Sequence, residues 1–245
     1  MSTPARGHRP PQGTPVLTRA FGLLSTFGPD HRAQSLADLT RRGGLPRSTT
    51  LRLARQLVGC GALERRDDGA YVIGVRLLEV ASLAPRGHGL RETAMPFMED
   101  LFHITRGHVL LAVLDGEEAV LVERLSAHEA DPVLYRVGGR MPLHTTGVGL
   151  VLLAHASPAM AERFPEPESL RRTLAEIRRG GFATNSLTTP WPRTSVAAPV
   201  FAGGDRVVAA LSIVAPTDAA DPRTLVPTVR AAARAISRHL AMTRG

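Results

Sequence analysis

Lysine is missing from this 245-residue chain, so all 30 of its fixed cations are guanidiniums, set against 22 carboxylates for a net charge of +8. Codon bias accounts for the choice of arginine; the result is a set of cations able to grip phosphate and guanine bidentately. Cysteine occurs once, as Cys60. That excludes an internal disulfide framework and a multi-cysteine zinc site, and suits a reducing cytoplasm. No apolar run approaches the roughly 18 to 20 residues that a bilayer span needs, so no membrane association is expected. The opening MSTPARGHRPPQGTP has no apolar stretch of the signal-peptide kind, and residues 1–14 read as a short disordered arm. A soluble, cytoplasmic protein is expected. Also missing are a Gly-x-Ser-x-Gly elbow, a His-Glu-x-x-His pair and a phosphate-cradling glycine loop. His103, His108, His144 and His155 lack acidic or cysteine partners at ligand spacing, and His144 reads as a histidine hydrogen-bonded in place. Neither catalysis, a metal nor a cofactor is expected. Hydrophobic residues at 43% and charged residues at 21% describe an ordinary globular protein. Its positive balance suits an acidic partner, nucleic acid first.

The first ninety residues are the most ordered in pattern. Thr14-Pro15 opens a helix in which Val16, Leu17, Ala20, Leu23, Leu24 and Phe27 recur at helical spacing. Ser35-Leu36-Ala37-Asp38 is a capping-box variant starting a second helix, with Leu36 and Leu39 inward and Gly43-Gly44 as its stop. Pro46 opens a third, LPRSTTLRLARQL, rooted by Leu53 and Leu57 and ended by Gly59-Cys60-Gly61. Two short strands, 62–66 and 70–73, flank Asp68-Gly69, a hairpin signal. Helix, helix, helix, hairpin is a winged helix-turn-helix, here residues 15–74. Its third helix presents Arg47, Ser48, Thr49, Thr50, Arg52 and Arg55 to a major groove. Arg65 and Arg66 on the wing would reach backbone phosphates or the minor groove, and Ser35 joins the DNA-facing set. Cys60 reads as a small packing residue.

Residues 75–89 read as a linker helix (75–83) followed by a structure-breaking hinge, APRGHG. The remainder, 90–245, alternates helices and strands. A helix spans 90–105 with Leu90, Ala94, Phe97, Met98, Leu101 and Ile104 on one side, and Pro96 marks a kink or a late start. Strands at 109–114 and 119–125 flank Asp115-Gly116, a third lies at 134–137, and a hairpin joins 195–201 to 206–214. Helices are expected at 147–155, at 170–179 and from Asp221-Pro222 to about Met242. Hairpins connected by helices give an antiparallel sheet with helices on its faces, an α+β domain.

Residues 15 to 83 carry Leu45-Pro46-Arg47-Ser48-Thr49, Arg52-Leu53, Gly61-Ala62-Leu63 and Tyr71-Val72-Ile73-Gly74. In these they resemble the DNA-binding domain of the IclR-type bacterial transcription regulators. RVGGRMPLHTTGVGLVLLA (136–154), LAEIRRGGFA (174–183), SVAAPVF (195–201) and ALSI (210–213) are similar to that family's effector domain. The resemblance spans about residues 15 to 240. It implies a GAF-like effector-binding domain, a homodimer or tetramer, repression or activation at a DNA operator, and pocket residues Leu143, Thr146, Gly147, Asn185, Ser195 and Ser212. The loop after Ala183 departs from the family: TNSLTTPWPRT stands where carboxylates are usual, which points to an effector other than the small carboxylates many relatives sense. Leu150 stands where lysine is common. Arg136, Arg140 and Arg193 could meet an acidic effector but read better as solvated surface. The function expected is a sequence-specific DNA-binding regulator controlled by a small molecule. The alternative is a small-molecule-binding module or degenerate enzyme whose basic head has no specific DNA target.

Overall fold

The computed structural model describes residues 14–126, 135–161, 163–164, 168–187, 192–218 and 220–242. The expected N-terminal arm up to residue 13, Leu134 of the expected third strand, and Thr188 to Trp191 of the departing loop lie outside the described residues. The chain divides between Leu83 and Ala84 into two compact units.

The first unit holds α1 (Val16–Leu24), β1 (Ala33–Gln34), α2 (Leu36–Gly43), α3 (Arg47–Gly59), β2 (Leu63–Arg65), β3 (Tyr71–Ile73) and α4 (Val75–Ser82). The expected capping box starts α2. Asp38 N–H donates to Ser35 Oγ at 3.1 Å, and Ser35 N–H donates back to the Asp38 carboxylate at 3.3 Å. Hydrogen bonds from Ser35, aided by the charges of Arg41 and Arg42, hold the Asp38 carboxyl below the ordinary aspartate value. Gly44, at φ +61°, closes α2 in a left-handed turn that a side chain would strain. Pro46 then caps α3. Leu23, Leu39, Leu53, Leu63 and Tyr71 meet in one core. Each fully buried leucine stabilises by about 1.5–3 kcal/mol relative to exposure.

The wing strands pair across Gly69, and β1 adds to β3 for a sheet ordered β1-β3-β2. A two-residue strand has no periodicity, so β1 carried no sequence signal. Its buried Gln34 donates to Thr26 Oγ1 at 3.1 Å. Cys60 corrects its expected role: it is exposed at the end of α3 and packs into no core.

The second unit begins with a π-helical turn, Pro85–Gly89, and continues through α5 (Leu90–Thr105), β4 (His108–Asp115), β5 (Glu118–Leu125), β6 (Arg140–Pro142) and α6 (Gly147–Ala154). It closes with α7 (Pro158–Ala161), α8 (Glu168–Gly180), β7 (Ala183–Leu187), β8 (Arg193–Phe201), β9 (Val207–Pro216) and α9 (Pro222–Met242). One antiparallel sheet runs β6-β5-β4-β9-β8-β7. Alternate residues of its strands face opposite ways. Val109, Leu111, Val196, Ala198, Leu211 and Ile213 pack with α5 and α9. Leu110, Ala112, Ala197 and Ala210 pack with α6 and α8.

Several expectations change here. The edge strand β6 starts at Arg140, not Leu134, because Gly138 and Gly139 turn the chain before it pairs with β5. The segment after Ala183, expected as a loop, opens as edge strand β7, where polar side chains are tolerated. Helix α5 runs unbroken through Pro96, while Ile104 in its last turn is exposed rather than inward.

Candidate nucleic-acid interface and ligand cup

Successive residues of a helix turn by about 100°. On α3 this sends Thr50, Leu53, Ala54 and Leu57 inward and Ser48, Arg52 and Arg55 to the exposed opposite side, while Arg47 is exposed as the first residue of the helix. Thr49 is half-buried between the two faces. Thr50 overturns an expectation. It is 0% exposed and its hydroxyl donates to Pro46 O at 3.2 Å, so it braces the first turn of the helix and cannot reach a groove. On the wing, Arg65 and Arg66 are exposed. The Arg65 guanidinium lies 5.9 Å from the Tyr71 ring centroid, and Arg66 lies 3.4 Å from Asp68. Such an exposed pair is weak and leaves the cation available. Ser35 is exposed, but its hydroxyl already donates to Asp38 at 2.6 Å and caps α2.

In the second unit the residues expected to form a pocket gather on the α6 side of the sheet. Leu143 is fully buried there. Thr146 caps α6, its Oγ1 accepting from Gly149 N–H at 3.1 Å and donating to Pro142 O at 2.8 Å. Gly147 comes so close to β8 that an added Cβ would stand 2.2 Å from Ser195 Oγ. A side chain there would force the Ser195 hydroxyl to move. Asn185 sits opposite Ser195 in the β7–β8 pair and donates to Thr145 O at 2.9 Å. Ser212, buried on β9, is opposite Ala197 on one side and Leu110 on the other. The Ser195 hydroxyl is buried and has no hydrogen-bond partner among the described residues.

Two further groups occupy this face. Arg193, expected on the surface, is 9% exposed, and its Nη1 lies 3.2 Å from His108 Nε2. His108 Nδ1 lies 2.9 Å from Ser126 Oγ. The signal for Arg193 was available: Arg193, Ser195 and Ala197 alternate on one strand, but placing the strand start at Ser195 left the arginine outside. His144 is exposed, whereas His108 and His155 make hydrogen bonds, the latter from its Nδ1 to Val151 O at 3.0 Å. Arg140 pairs with Asp115 at 2.7 Å on the surface, and Arg136 donates to Val137 O. Burial raises the Tyr135 phenol above its ordinary value. Among the described residues, no cluster of His, Cys, Asp or Glu is arranged to hold a metal ion, and no helix is long and apolar enough to cross a membrane.

A three-helix core with a small wing and an arginine-bearing third helix is a DNA-binding class, and an antiparallel sheet flanked by helices on both faces is a sensor class. The chain belongs to the IclR family. Residues 16–67 match the model of the IclR helix-turn-helix domain, and residues 84–238 match that of the bacterial transcriptional regulator IclR C-terminal domain. It is therefore a transcriptional regulator with a DNA-binding head and an effector-binding C-terminal domain. An IclR homologue from Microbacterium hydrocarbonoxydans, solved in complex with 4-hydroxybenzoate, is 38% identical with a TM-score of 0.84, over 92% of this chain and 99% of that one. The regulator XynR of Escherichia coli is 28% identical, over 84% of this chain and 88% of its own. The glycerol operon regulatory protein of Streptomyces coelicolor is also 28% identical, over 91% and 95%.

Proposed function

We propose that this regulator reads its operator with Arg47, Ser48, Thr49, Arg52 and Arg55 of α3, while Arg65 and Arg66 of the wing grip phosphates. The observation that carries the reading is the division of α3 into a leucine-rooted inner face and a guanidinium and hydroxyl outer face. Guanidinium on guanine gives base readout, and hydroxyls serve phosphates or bases. Ser35 contributes by fixing the start of α2. The effector occupies the cup formed by Leu143, Thr146, Gly147, Asn185, Ser195 and Ser212, a few polar groups in an apolar setting. The effector controls transcription by binding the DNA-competent and DNA-incompetent states with different affinity.

The protein acts in the cytoplasm as a homodimer or a dimer of dimers, and it is a regulator rather than a catalyst. Large apolar side chains exposed on α1 (Leu17, Phe21) and on and after α4 (Val75, Leu78, Val80, Leu83) support self-association, since a lone unit would leave them in water.

Mobility shift of DNA flanking its own gene tests the reading. Saturable, salt-sensitive and sequence-selective retardation is expected, altered by a cup ligand. Equal affinity for random DNA favours a small-molecule-binding module without a DNA target. Because a 38%-identical relative holds 4-hydroxybenzoate, that acid is the first probe for thermal stabilisation.

A further inference from the structure

A cavity of about 680 Å³ opens in the second unit and shares no lining residue with the cup. Its walls come from the end of β4, the start of β9, the first turn of α5 with the π-helical turn before it, and the last turn of α9. Leu90, Leu114, Val208 and Leu240 make those walls apolar. On β9 the cup's Ser212 lies four residues beyond Val208, about 14 Å along an extended strand. The volume falls in the usual range of about 300–1,000 Å³ for sites that hold small organic molecules.

Two guanidiniums from distant parts of the chain, those of Arg86 and Arg206, meet at this cavity. Arg86 donates through Nη2 to Leu114 O, which holds it at the cavity and leaves most of its N–H groups for another acceptor. The Arg206 guanidinium makes no hydrogen bond or ion pair among the described residues. Glu92 is the one carboxylate among the lining residues, so the cations outnumber it. Both arginines are exposed while Leu90 and Leu240 are buried, so the charge stands at the mouth and the apolar surface lies deeper. Cations set on low-dielectric walls focus their field into the space between them. A molecule with an anionic head and an apolar body matches both features. A wholly polar anion would leave the leucines in water, and a neutral apolar molecule would gain nothing from the guanidiniums.

Gly89 also lines the cavity. Its backbone, at φ −63° and ψ −36°, is helical and open to any residue, and a Cβ built there meets no atom within 4 Å. The missing side chain therefore leaves room in the cavity rather than serving the backbone. We propose that the cavity is a second small-molecule site. It takes an anion whose carboxylate or phosphate head lies between Arg86 and Arg206 and whose apolar body covers Leu90, Leu114, Val208 and Leu240. The site is independent of the cup. Arg86 belongs to the turn that opens the second unit, so an occupant ties that turn to the start of β9.

Isothermal titration of the full chain with octanoate and octyl phosphate, against octanamide, separates head-group charge from the alkyl body. At least one anion binds saturably and on the order of 10-fold more tightly than the amide, and the ratio of the two anions names the head group. Arg206→Gln weakens the anion by about 10-fold and leaves the amide unchanged. Hydrogen exchange locates the site without any substitution: the bound anion slows the amides of residues 86–93. Gly89→Leu, a better helix former that no neighbouring atom opposes, fills the cavity and removes that slowing. Gly147→Ala, which crowds the cup, keeps it. A parent chain that binds neither anion more tightly than the amide overturns the proposal, as does a Gly89→Leu chain that still shows the slowing at 86–93. Slowing confined to residues 147–154 also overturns it, because the anion then sits in the cup. Should a variant lose its circular-dichroism signature, the parent titration and the parent exchange pattern decide.

Discussion

On α3 the guanidiniums of Arg47, Arg52 and Arg55 stand in solvent while the leucines beneath them do the anchoring. On β8 the guanidinium of Arg193 lies inside the fold, anchored by a hydrogen bond of its own to His108. The same functional group is therefore tuned in two ways. In water its field is weakened by the high dielectric and screened within about 8–10 Å at physiological salt, so several cations acting together suit a polyanion. Inside the fold, where little water intervenes, one cation interacts strongly at short range with the groups packed around it. One chain without lysine thus provides both exposed and buried guanidiniums, and the scaffold decides which is which.

The comparison can be tested at four strengths. The largest effect is expected at the anchor of α3. Leu53→Ala should destabilise the first unit by about 2–5 kcal/mol. Hydrogen exchange should then quicken across α2 and α3 while the amides of β8 and β9 keep their protection, and equal loss in both units would deny them separate cores. Next in size is readout: Arg52→Ala should weaken operator binding by about 1–3 kcal/mol and relax base preference at one position. Thr50→Ser should leave base preference unchanged, because that hydroxyl faces Pro46. A selection experiment in which Thr50→Ser redirects the preferred operator would return Thr50 to the interface.

A comparable effect belongs to the second unit. Gly147→Ala should cost about 1–3 kcal/mol by crowding Ser195, and adding Ser195→Ala should recover part of that loss. Strict additivity of the two in chemical denaturation would mean that they do not touch. The smallest effect lies at the α2 cap, where Ser35→Ala should cost about 1 kcal/mol. The pH dependence there has a definite sign. Asp38 titrates lower in the folded chain than its ordinary value of 3.8, so its contribution is complete above that value and is lost as pH falls through the lower, folded one. Exchange of the α2 amides should therefore rise in that acid window, and Ser35→Ala should flatten the rise.

Much of this architecture was legible in the residue order. Asp68-Gly69 and Asp115-Gly116 named their hairpins, and the spacing of Leu53 and Leu57 named α3, because turns and amphipathic faces are local signals. Thr50 was misread because hydroxyls suit both a groove and a buried backbone brace, and one turn of helix decides between them. Strand β7 was misread because Thr184, Asn185 and Ser186 resemble a loop until an edge position beside β8 gives their backbone a partner. Arg193 was misread for a different reason: a lone arginine beside proline looks like surface unless the strand is known to begin there.

The order of residues by itself determined the two-part organisation, the helix-turn-helix with its wing, the hairpins of the sheet and the family, since each rests on periodicity, glycine turns and short motifs within a few tens of residues. Only the tertiary structure decided that Thr50 turns inward, that Gly147 lies against Ser195, and that Arg193 reaches His108 85 positions away in the chain. Those facts depend on which strands become neighbours, and strand order is settled by packing across the whole sheet rather than by any local preference of the backbone.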